Sequence, residues 1–186
     1  MLWLIRHGAT EWSTSGRHTG RTDVPLTAAG TAQAEALRPR LAGEDFALVL
    51  TSPLGRARDT CRLAGLGDAA VVDPDLAEWD YGDMEGRTTA EVRRDRPGWS
   101  LWTDGVTNGE TAAAVGARAD RVIERSVAAD GDVVLFAHGH ILRVLTARWL
   151  DLAPEDGKLF ALDPGSSSVL GHEHEWRVIN RWNLGQ

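Results

Sequence analysis

Three short polar segments of the sequence carry residues that could bind an anionic group and attack it. The segments are Arg6-His7-Gly8, Thr51-Ser52-Pro53-Leu54-Gly55-Arg56-Ala57-Arg58-Asp59-Thr60 and Ala137-His138-Gly139-His140. An arginine guanidinium offers paired donors to an oxyanion, and a histidine can attack only through a neutral ring nitrogen. Because nearby arginines disfavour the charged imidazolium, the same cations could bind the anion and keep His7 neutral.

Each of these segments follows a predicted buried strand. The hydrophobic pattern predicts strands over 2–5, 47–50 and 133–137, with helices over 54–66 and 140–150 after the second and third. In parallel sheets, ligands gather at the carboxyl ends of the strands. We therefore expect the three segments to converge in space, although they are far apart in the sequence.

The remaining segments complete an alternation of strands and helices. Further predicted elements are a long loop over 9–26, helices over 27–41 and 111–129, and strands over 70–72, 167–173 and 176–180. This order favours an α/β fold, a three-layer sandwich whose mostly parallel central sheet is flanked by helices. We expect a single domain over 1–186. The irregular segment 74–109, rich in tryptophan, glycine and charge, is predicted to be an insertion or lid.

Composition restricts the classes of partner. The net charge of -7 disfavours binding to nucleic acid, and no apolar stretch approaches the roughly 20 residues that cross a bilayer. The first residues lack the basic region and apolar core of a secretion signal, so we expect a cytoplasmic protein. Cys61, the only cysteine, is predicted to be a core thiol. The eight tryptophans are best explained as core residues, although an exposed patch of them could support a homodimer.

Some of these residues also have interpretations other than the binding and attack of an anionic group. An arginine beside a histidine is commonly a surface pair, so Arg6-His7 alone would not indicate a site. His138 and His140 could be a metal pair, although no cysteine pair or His-Glu-x-x-His helix accompanies them. A P-loop motif is absent from the sequence, so nucleotide binding of that type is not supported. His172 and His174 are predicted surface residues of a terminal hairpin.

Taken together and in this order, the three segments resemble the histidine phosphatase superfamily, also called the phosphoglycerate mutase-like family, over essentially the whole chain. The resemblance implies a phosphohistidine intermediate formed without a metal or other cofactor. It implies that His7 is the nucleophile and that Glu78, in Leu76-Ala77-Glu78-Trp79-Asp80-Tyr81-Gly82, is the proton donor. The phosphoryl oxygens would be held by Arg6, Arg56 and His138.

These implied roles also agree with the chemistry of phosphoryl transfer. Negative charge on the transferred group can be stabilised by fixed guanidinium groups without a metal. Proximity to a bound phosphate dianion would raise the affinity of Glu78 for a proton, so we expect an activity optimum on the acidic side of neutral. Asp80, Asp83 and Glu85 lie near Glu78 in the sequence and are alternatives to it.

The resemblance is narrower for the branch that contains broad acid phosphatases and sedoheptulose-1,7-bisphosphatase. Trp79 stands where the family's mutases have an arginine, and Ser13 where they usually have asparagine. We therefore expect a phosphatase acting on small phosphorylated metabolites such as sugar phosphates, with phosphoglycerate mutase and a catalytically silent phosphate-binding protein as alternatives. The predicted substrate-binding residues are Ser13, Arg17, His18, Thr19, Gly20, Gly139 and His140.

Overall fold

A six-stranded sheet forms the middle layer of the computed structural model, which describes residues 1–185. The strands are β1 (Leu2–Arg6), β2 (Phe46–Thr51), β3 (Ala70–Val72), β4 (Asp132–Ala137), β5 (Ser167–Glu173) and β6 (Trp176–Leu184). Their order across the sheet is β3-β2-β4-β1-β5-β6. The first four are mutually parallel, whereas β5 and β6 pair antiparallel. The predicted mostly parallel sheet is thus confirmed.

Helices form the outer layers, and short helices also lie within the loops around one edge of the sheet. They are α1 (Glu11–Ser15), α2 (Ala28–Ala36), α3 (Arg38–Leu41), α4 (Gly55–Leu63), α5 (Thr89–Asp95), α6 (Leu101–Asp104), α7 (Ala112–Ala128) and α8 (Gly139–Trp149). Short 3-10 turns lie at Gly67–Ala69, Pro74–Leu76, Gly82–Met84 and Pro154–Leu159. Within residues 1–185, no helix combines the length and the apolar character that crossing a membrane requires.

Alternating side chains of the sheet bury both of its faces. In β1, Leu2 and Leu4 pack into a core with residues of α7 and α8, whereas Trp3 and Ile5 pack into a second core with residues of α3 and α4. Successive strand residues point to opposite faces, so a strand that is apolar throughout requires a layer of helices on each side. This is the predicted three-layer α/β sandwich. Cys61 is buried in the second core, as expected.

Three predicted boundaries were wrong for local reasons. The loop predicted over 9–26 contains α1, which begins at a capping box in which Thr10 and Ser13 each bond the other's backbone N–H. The helix predicted over 27–41 is interrupted after Ala36 and resumes as α3, where Pro39 lacks the N–H that a continuous helix would use. The last strand extends to Leu184 because its pairing with β5 continues that far.

The segment 74–109 packs against the loop that follows α1. The backbone N–H of His18 donates to the Arg87 carbonyl, and that of Gly86 donates to the His18 carbonyl, at 2.9 and 2.8 Å. The Glu85 carboxylate accepts hydrogen bonds from the backbone of Gly20 and Thr22. These contacts join the two loops above the carboxyl ends of the strands. The assignment of 74–109 as an insertion or lid, and of 1–186 as one domain, stays a prediction.

Candidate active site

The ends of three parallel strands bring the three polar segments together. Arg6 pairs with Ala137 and Thr51 with Phe136, so β1, β2 and β4 end at nearly the same level. Just beyond these ends, the backbone N–H of His7 donates to the Ala137 carbonyl at 3.0 Å. That of Ser52 donates to the Phe136 carbonyl at 2.9 Å. The predicted convergence is therefore what the structure shows.

His7 is a buried, neutral imidazole with one ring nitrogen fixed. Its Nδ1 lies 2.7 Å from the Gly8 carbonyl oxygen, which can only accept, so Nδ1 carries the hydrogen and Nε2 carries the lone pair. Burial lowers the pKa of His7 well below its ordinary value, and the charges of Arg6 and Arg56 lower it further. Like-charge repulsion, which the sequence suggested, is thus secondary to desolvation. Nε2 makes no hydrogen bond within residues 1–185.

The glycine after His7 is required by packing. An added Cβ at Gly8 would lie 2.2 Å from the carbonyl oxygen of Gly30, which is backbone and cannot give way. The Gly8 N–H donates to the Thr60 hydroxyl of α4 at 3.1 Å. These contacts hold the loop that carries His7 tightly between α2 and α4.

The two arginines beside His7 are anchored and still have unused donors. Arg6 donates through Nη1 to the Leu162 carbonyl, and Arg56 donates through Nη1 to the Thr22 carbonyl and through Nη2 to those of Thr19 and Gly20. Within residues 1–185, the Nε of each arginine is buried without a hydrogen-bond partner. A buried unpaired donor costs about 1–3 kcal/mol, so these two N–H groups are suited to an oxyanion.

His138 adds a third unused donor next to His7. Its ring centroid lies 5.1 Å from that of His7, and its Nε2 lies 2.6 Å from the hydroxyl of Ser52. Because the buried Ser52 hydroxyl has no other acceptor within residues 1–185, it donates to Nε2. Nδ1 therefore carries a hydrogen. Burial, followed by the charge of Arg56, lowers the pKa of His138 well below its ordinary value. Its Nδ1 is buried and unpartnered within the described part of the chain.

Glu78 is held at the N-terminus of α8. Its Oε1 accepts from the backbone N–H groups of Trp79 and Ile141, and its Oε2 accepts from that of His140, at 2.9 to 3.0 Å. Both Glu78 and His7 line one cavity of about 350 Å³. The carboxylate is thus positioned by three fixed donors on the same cavity as the imidazole.

The alternative carboxylates of this segment are occupied elsewhere. Asp80 forms an ion pair with Arg21 at 2.7 Å, and Asp83 accepts from the Asn108 amide. Glu85 binds backbone N–H groups of the neighbouring loop. None of the three contributes to the wall of the cavity within residues 1–185. The geometry favours Glu78 over them as the acid or base.

The structure places most of the predicted substrate-binding residues in the cavity wall. The wall includes Ser13, Arg17, His18, Thr19, Gly139 and His140, together with Arg6. Gly20 is not part of it: its carbonyl accepts from Arg56, and an added Cβ would lie 2.6 Å from the Trp79 carbonyl. Arg56 and His138 are enclosed in the protein beside His7 rather than exposed in the wall.

Several wall residues were missed by the sequence analysis. They are Gly16, Tyr81, Thr89, Arg93, Ser100, Leu101, Trp102, Arg143 and Leu162. Tyr81 lies within the motif around Glu78, and Arg143 lies one helical turn after His140, so their spacing could have indicated them. Arg93 and Trp102 lie in the irregular segment, where no periodic pattern singles out a side chain. The two histidines suspected of binding metal are engaged separately, His138 with Ser52 and His140 with Tyr81.

Sequence comparison agrees with this geometry. The profile of the histidine phosphatase superfamily (branch 1) matches residues 2–185. The chain belongs to the histidine phosphatase superfamily. The match covers all three segments that suggested the resemblance, and it confirms that resemblance.

Individual relatives support the narrower branch. The chain is 44% identical over 183 residues to an acid phosphatase of Mycobacterium tuberculosis, covering 96% of this chain and 89% of the relative. It is 39% identical over 186 residues to sedoheptulose 1,7-bisphosphatase of Saccharomyces cerevisiae, covering 80% and 67%. A solved structure of an open reading frame from Mycobacterium tuberculosis superposes with a TM-score of 0.94 at 40% identity, covering 99% and 97% of the two chains. The chain thus resembles named phosphatases in sequence, and its fold matches that of the solved mycobacterial structure.

Proposed function

We propose that this chain is a phosphoric monoester hydrolase that acts on small phosphorylated metabolites, with sugar phosphates as its substrates, through a phosphohistidine at His7. The single observation that carries the proposal is the fixed tautomer of His7. It leaves an unprotonated Nε2 beside three N–H donors that have no partner within residues 1–185. Those donors belong to Arg6, Arg56 and His138. An imidazole of this kind is a nucleophile, and the donors match the charge on a transferred phosphoryl group.

In the first step, the lone pair of His7 Nε2 forms a bond to phosphorus and the bond from phosphorus to the ester oxygen breaks. Glu78 transfers its proton to the departing oxygen, which leaves as an alcohol. In the second step, water attacks the phosphohistidine and loses a proton to Glu78, and the N–P bond breaks to release inorganic phosphate. His7 and Glu78 return to their starting states, so the cycle balances with one water consumed.

Trp79 supports hydrolysis over phosphoryl return to a second hydroxyl. A mutase must enclose its phosphorylated intermediate and exclude water until the phosphoryl group moves back, whereas a phosphatase must admit water. Trp79, where the mutases have an arginine, is fully buried and donates its indole N–H to the Glu110 carbonyl at 2.9 Å. It therefore adds no cation over the site to clamp a substrate.

An assay with p-nitrophenyl phosphate in excess EDTA tests the proposed function. We expect steady release of nitrophenol and phosphate, and loss of this activity in the His7→Ala variant. The matched control is His172→Ala, since His172 is an exposed histidine of β5 and should not affect turnover. Isomerisation of phosphoglycerate without release of phosphate would support the mutase, and an inert protein that still binds phosphate would support the silent binder.

The proposal also includes the location of the protein and its partners. We infer a cytoplasmic enzyme that does not bind nucleic acid, in keeping with its charge of -7. If an exposed tryptophan supports a homodimer, the candidate is Trp176, whose side chain is exposed on the outermost strand β6. Sedimentation of the wild type and of Trp176→Ser would test whether that tryptophan supports a dimer.

A further inference from the structure

His18 presents a hydrogen-bond acceptor in the cavity wall. Its Nδ1 lies 2.7 Å from the Arg87 carbonyl oxygen, which can only accept, so Nδ1 carries the ring hydrogen. Burial lowers the pKa of this histidine, so near neutral pH its Nε2 is unprotonated and can only accept. Nε2 makes no hydrogen bond within residues 1–185, and the His18 ring lies in the cavity wall. A ligand in the cavity can therefore reach it.

His140 presents the opposite group in the same wall. The Tyr81 hydroxyl lies 2.6 Å from His140 Nδ1, and it has no other acceptor within residues 1–185. Since Nδ1 is the only acceptor that residues 1–185 offer this hydroxyl, we assign the hydroxyl hydrogen to that bond and the hydrogen of the neutral His140 ring to Nε2. Burial lowers the pKa of His140 well below its ordinary value, so the ring remains neutral. The Nε2–H of His140 is therefore a donor that is not used within the described chain.

The two rings form a matched pair in the wall. Their centroids are 6.5 Å apart and their planes are inclined by only 26°. Resting on the proposed phosphatase function, we propose that His18 and His140 select esters whose alcohol part carries several hydroxyl groups, as in sugar phosphates. A hydroxyl group can donate to His18 and accept from His140, so it satisfies either ring.

A carboxylate at the same place satisfies only one of the rings. Carboxylate oxygens only accept, so they can bind the N–H of His140 but would face the lone pair of His18. An alkyl chain satisfies neither ring and leaves both nitrogens without a hydrogen-bond partner. At the pair itself a hydroxyl is therefore favoured over a carboxylate and over an alkyl chain. The charges of Arg17, Arg93 and Arg143 in the same wall attract a carboxylate independently, so the test of the pair compares polyol with alkyl esters.

Matched substrates test this selection in the wild-type protein. We would measure kcat/KM near neutral pH for glycerol, erythritol and ribitol phosphates, each against the straight-chain alkyl phosphate of equal length. We expect the polyol ester to be preferred roughly tenfold or more in the longest pair, since one neutral hydrogen bond contributes about that factor. Equal values for the polyol and alkyl esters at every length would overturn the inference.

A variant locates the preference at His18. His18→Leu removes the acceptor and should reduce the ratio of polyol to alkyl ester by about tenfold, whereas His172→Leu on the exposed part of β5 should preserve the ratio. An unchanged ratio in His18→Leu would contradict the proposal, and the wild-type comparison decides alone if this variant does not fold. Failure to hydrolyse p-nitrophenyl phosphate would instead show that the phosphatase function itself is wrong.

Discussion

Replacing Glu78 with glutamine removes a carboxylate that accepts three backbone N–H groups at the start of α8. The carboxamide oxygen can take the place of Oε1 and keep the bonds from Trp79 and Ile141, but the NH2 group then faces the N–H of His140. One buried donor left unpaired costs about 1–3 kcal/mol. We expect the free energy of unfolding of Glu78→Gln to fall by about that amount, and its Tm to fall by roughly 2–10 °C.

The effect of Glu78→Gln on activity should depend on the leaving group. Loss of a general acid typically costs about 10²–10⁴ in rate when the departing oxygen needs a proton. Alkyl phosphates have such a leaving group, whereas nitrophenolate is stable without one. Because kcat/KM reports the steps up to release of the alcohol, we expect it to fall at least about a hundredfold for an alkyl phosphate and less than about tenfold for p-nitrophenyl phosphate.

The matched control for Glu78→Gln is Asp83→Asn. Asp83 lies in the same segment, is exposed, and bonds Asn108 rather than the cavity. We expect its kcat/KM values to remain near those of the wild type for both substrates. An equal loss for the two leaving groups in Glu78→Gln would refute the assignment of Glu78 as proton donor. A loss of kcat/KM in Asp83→Asn that is confined to the alkyl phosphate would instead identify Asp83 as the proton donor.

Three further predictions concern the pH dependence of activity, the pH dependence of stability and the reactivity of Cys61. Burial and the adjacent arginines lower the pKa of His7, so its ring stays uncharged in mildly acidic solution. Because the mechanism also requires a proton on Glu78, we expect kcat/KM to be highest below pH 7. A profile that rises steadily above about pH 8 would contradict this prediction. Hydrogen bonds from Arg121 of α7 lower the pKa of the Asp75 carboxyl to about 2. The contribution of Asp75 to the stability of the fold is therefore complete above the pKa of the unfolded chain, and it is lost as the pH falls toward about 2. In urea titrations, Asp75→Asn should lower the free energy of unfolding by about 1 kcal/mol at neutral pH, allowing for solvent screening of the half-exposed arginines. This loss should become smaller in acid, and an equal loss at both pH values would contradict the prediction. Burial raises the pKa of the Cys61 thiol to about 12, so iodoacetamide should label it only when the protein is unfolded, and rapid labelling of the native protein would refute its burial.

The convergence of the site could be predicted because it depends on local patterns. The strands around Ile5, Leu50 and Leu135 are short apolar runs followed by polar segments, and parallel pairing then places those segments at one edge. His7, Arg56 and His138 are found in this way without any tertiary information. The family resemblance added Glu78, which has no strand directly before it.

The cavity wall could not be predicted to the same extent because it depends on contacts between distant loops. The position of His18 is fixed by the Arg87 carbonyl, and that of Tyr81 by its hydrogen bond with His140. Neither contact leaves a periodic trace in the sequence. One signal was available and missed: Thr88 and Glu91 form a capping box, which marks the start of α5 within the segment predicted to be irregular.

The most direct test of the account is to trap the phosphoryl group on the protein. Wild-type enzyme mixed with substrate that carries a radiolabelled phosphoryl group and quenched in alkali, where phosphohistidine survives, should retain label at no more than one per chain. Peptide mapping should place this label on residue 7. His7→Ala should retain none. Label on any other residue, or turnover by His7→Ala at a rate near that of the wild type, would contradict the claim that the unprotonated Nε2 of His7 receives the phosphoryl group.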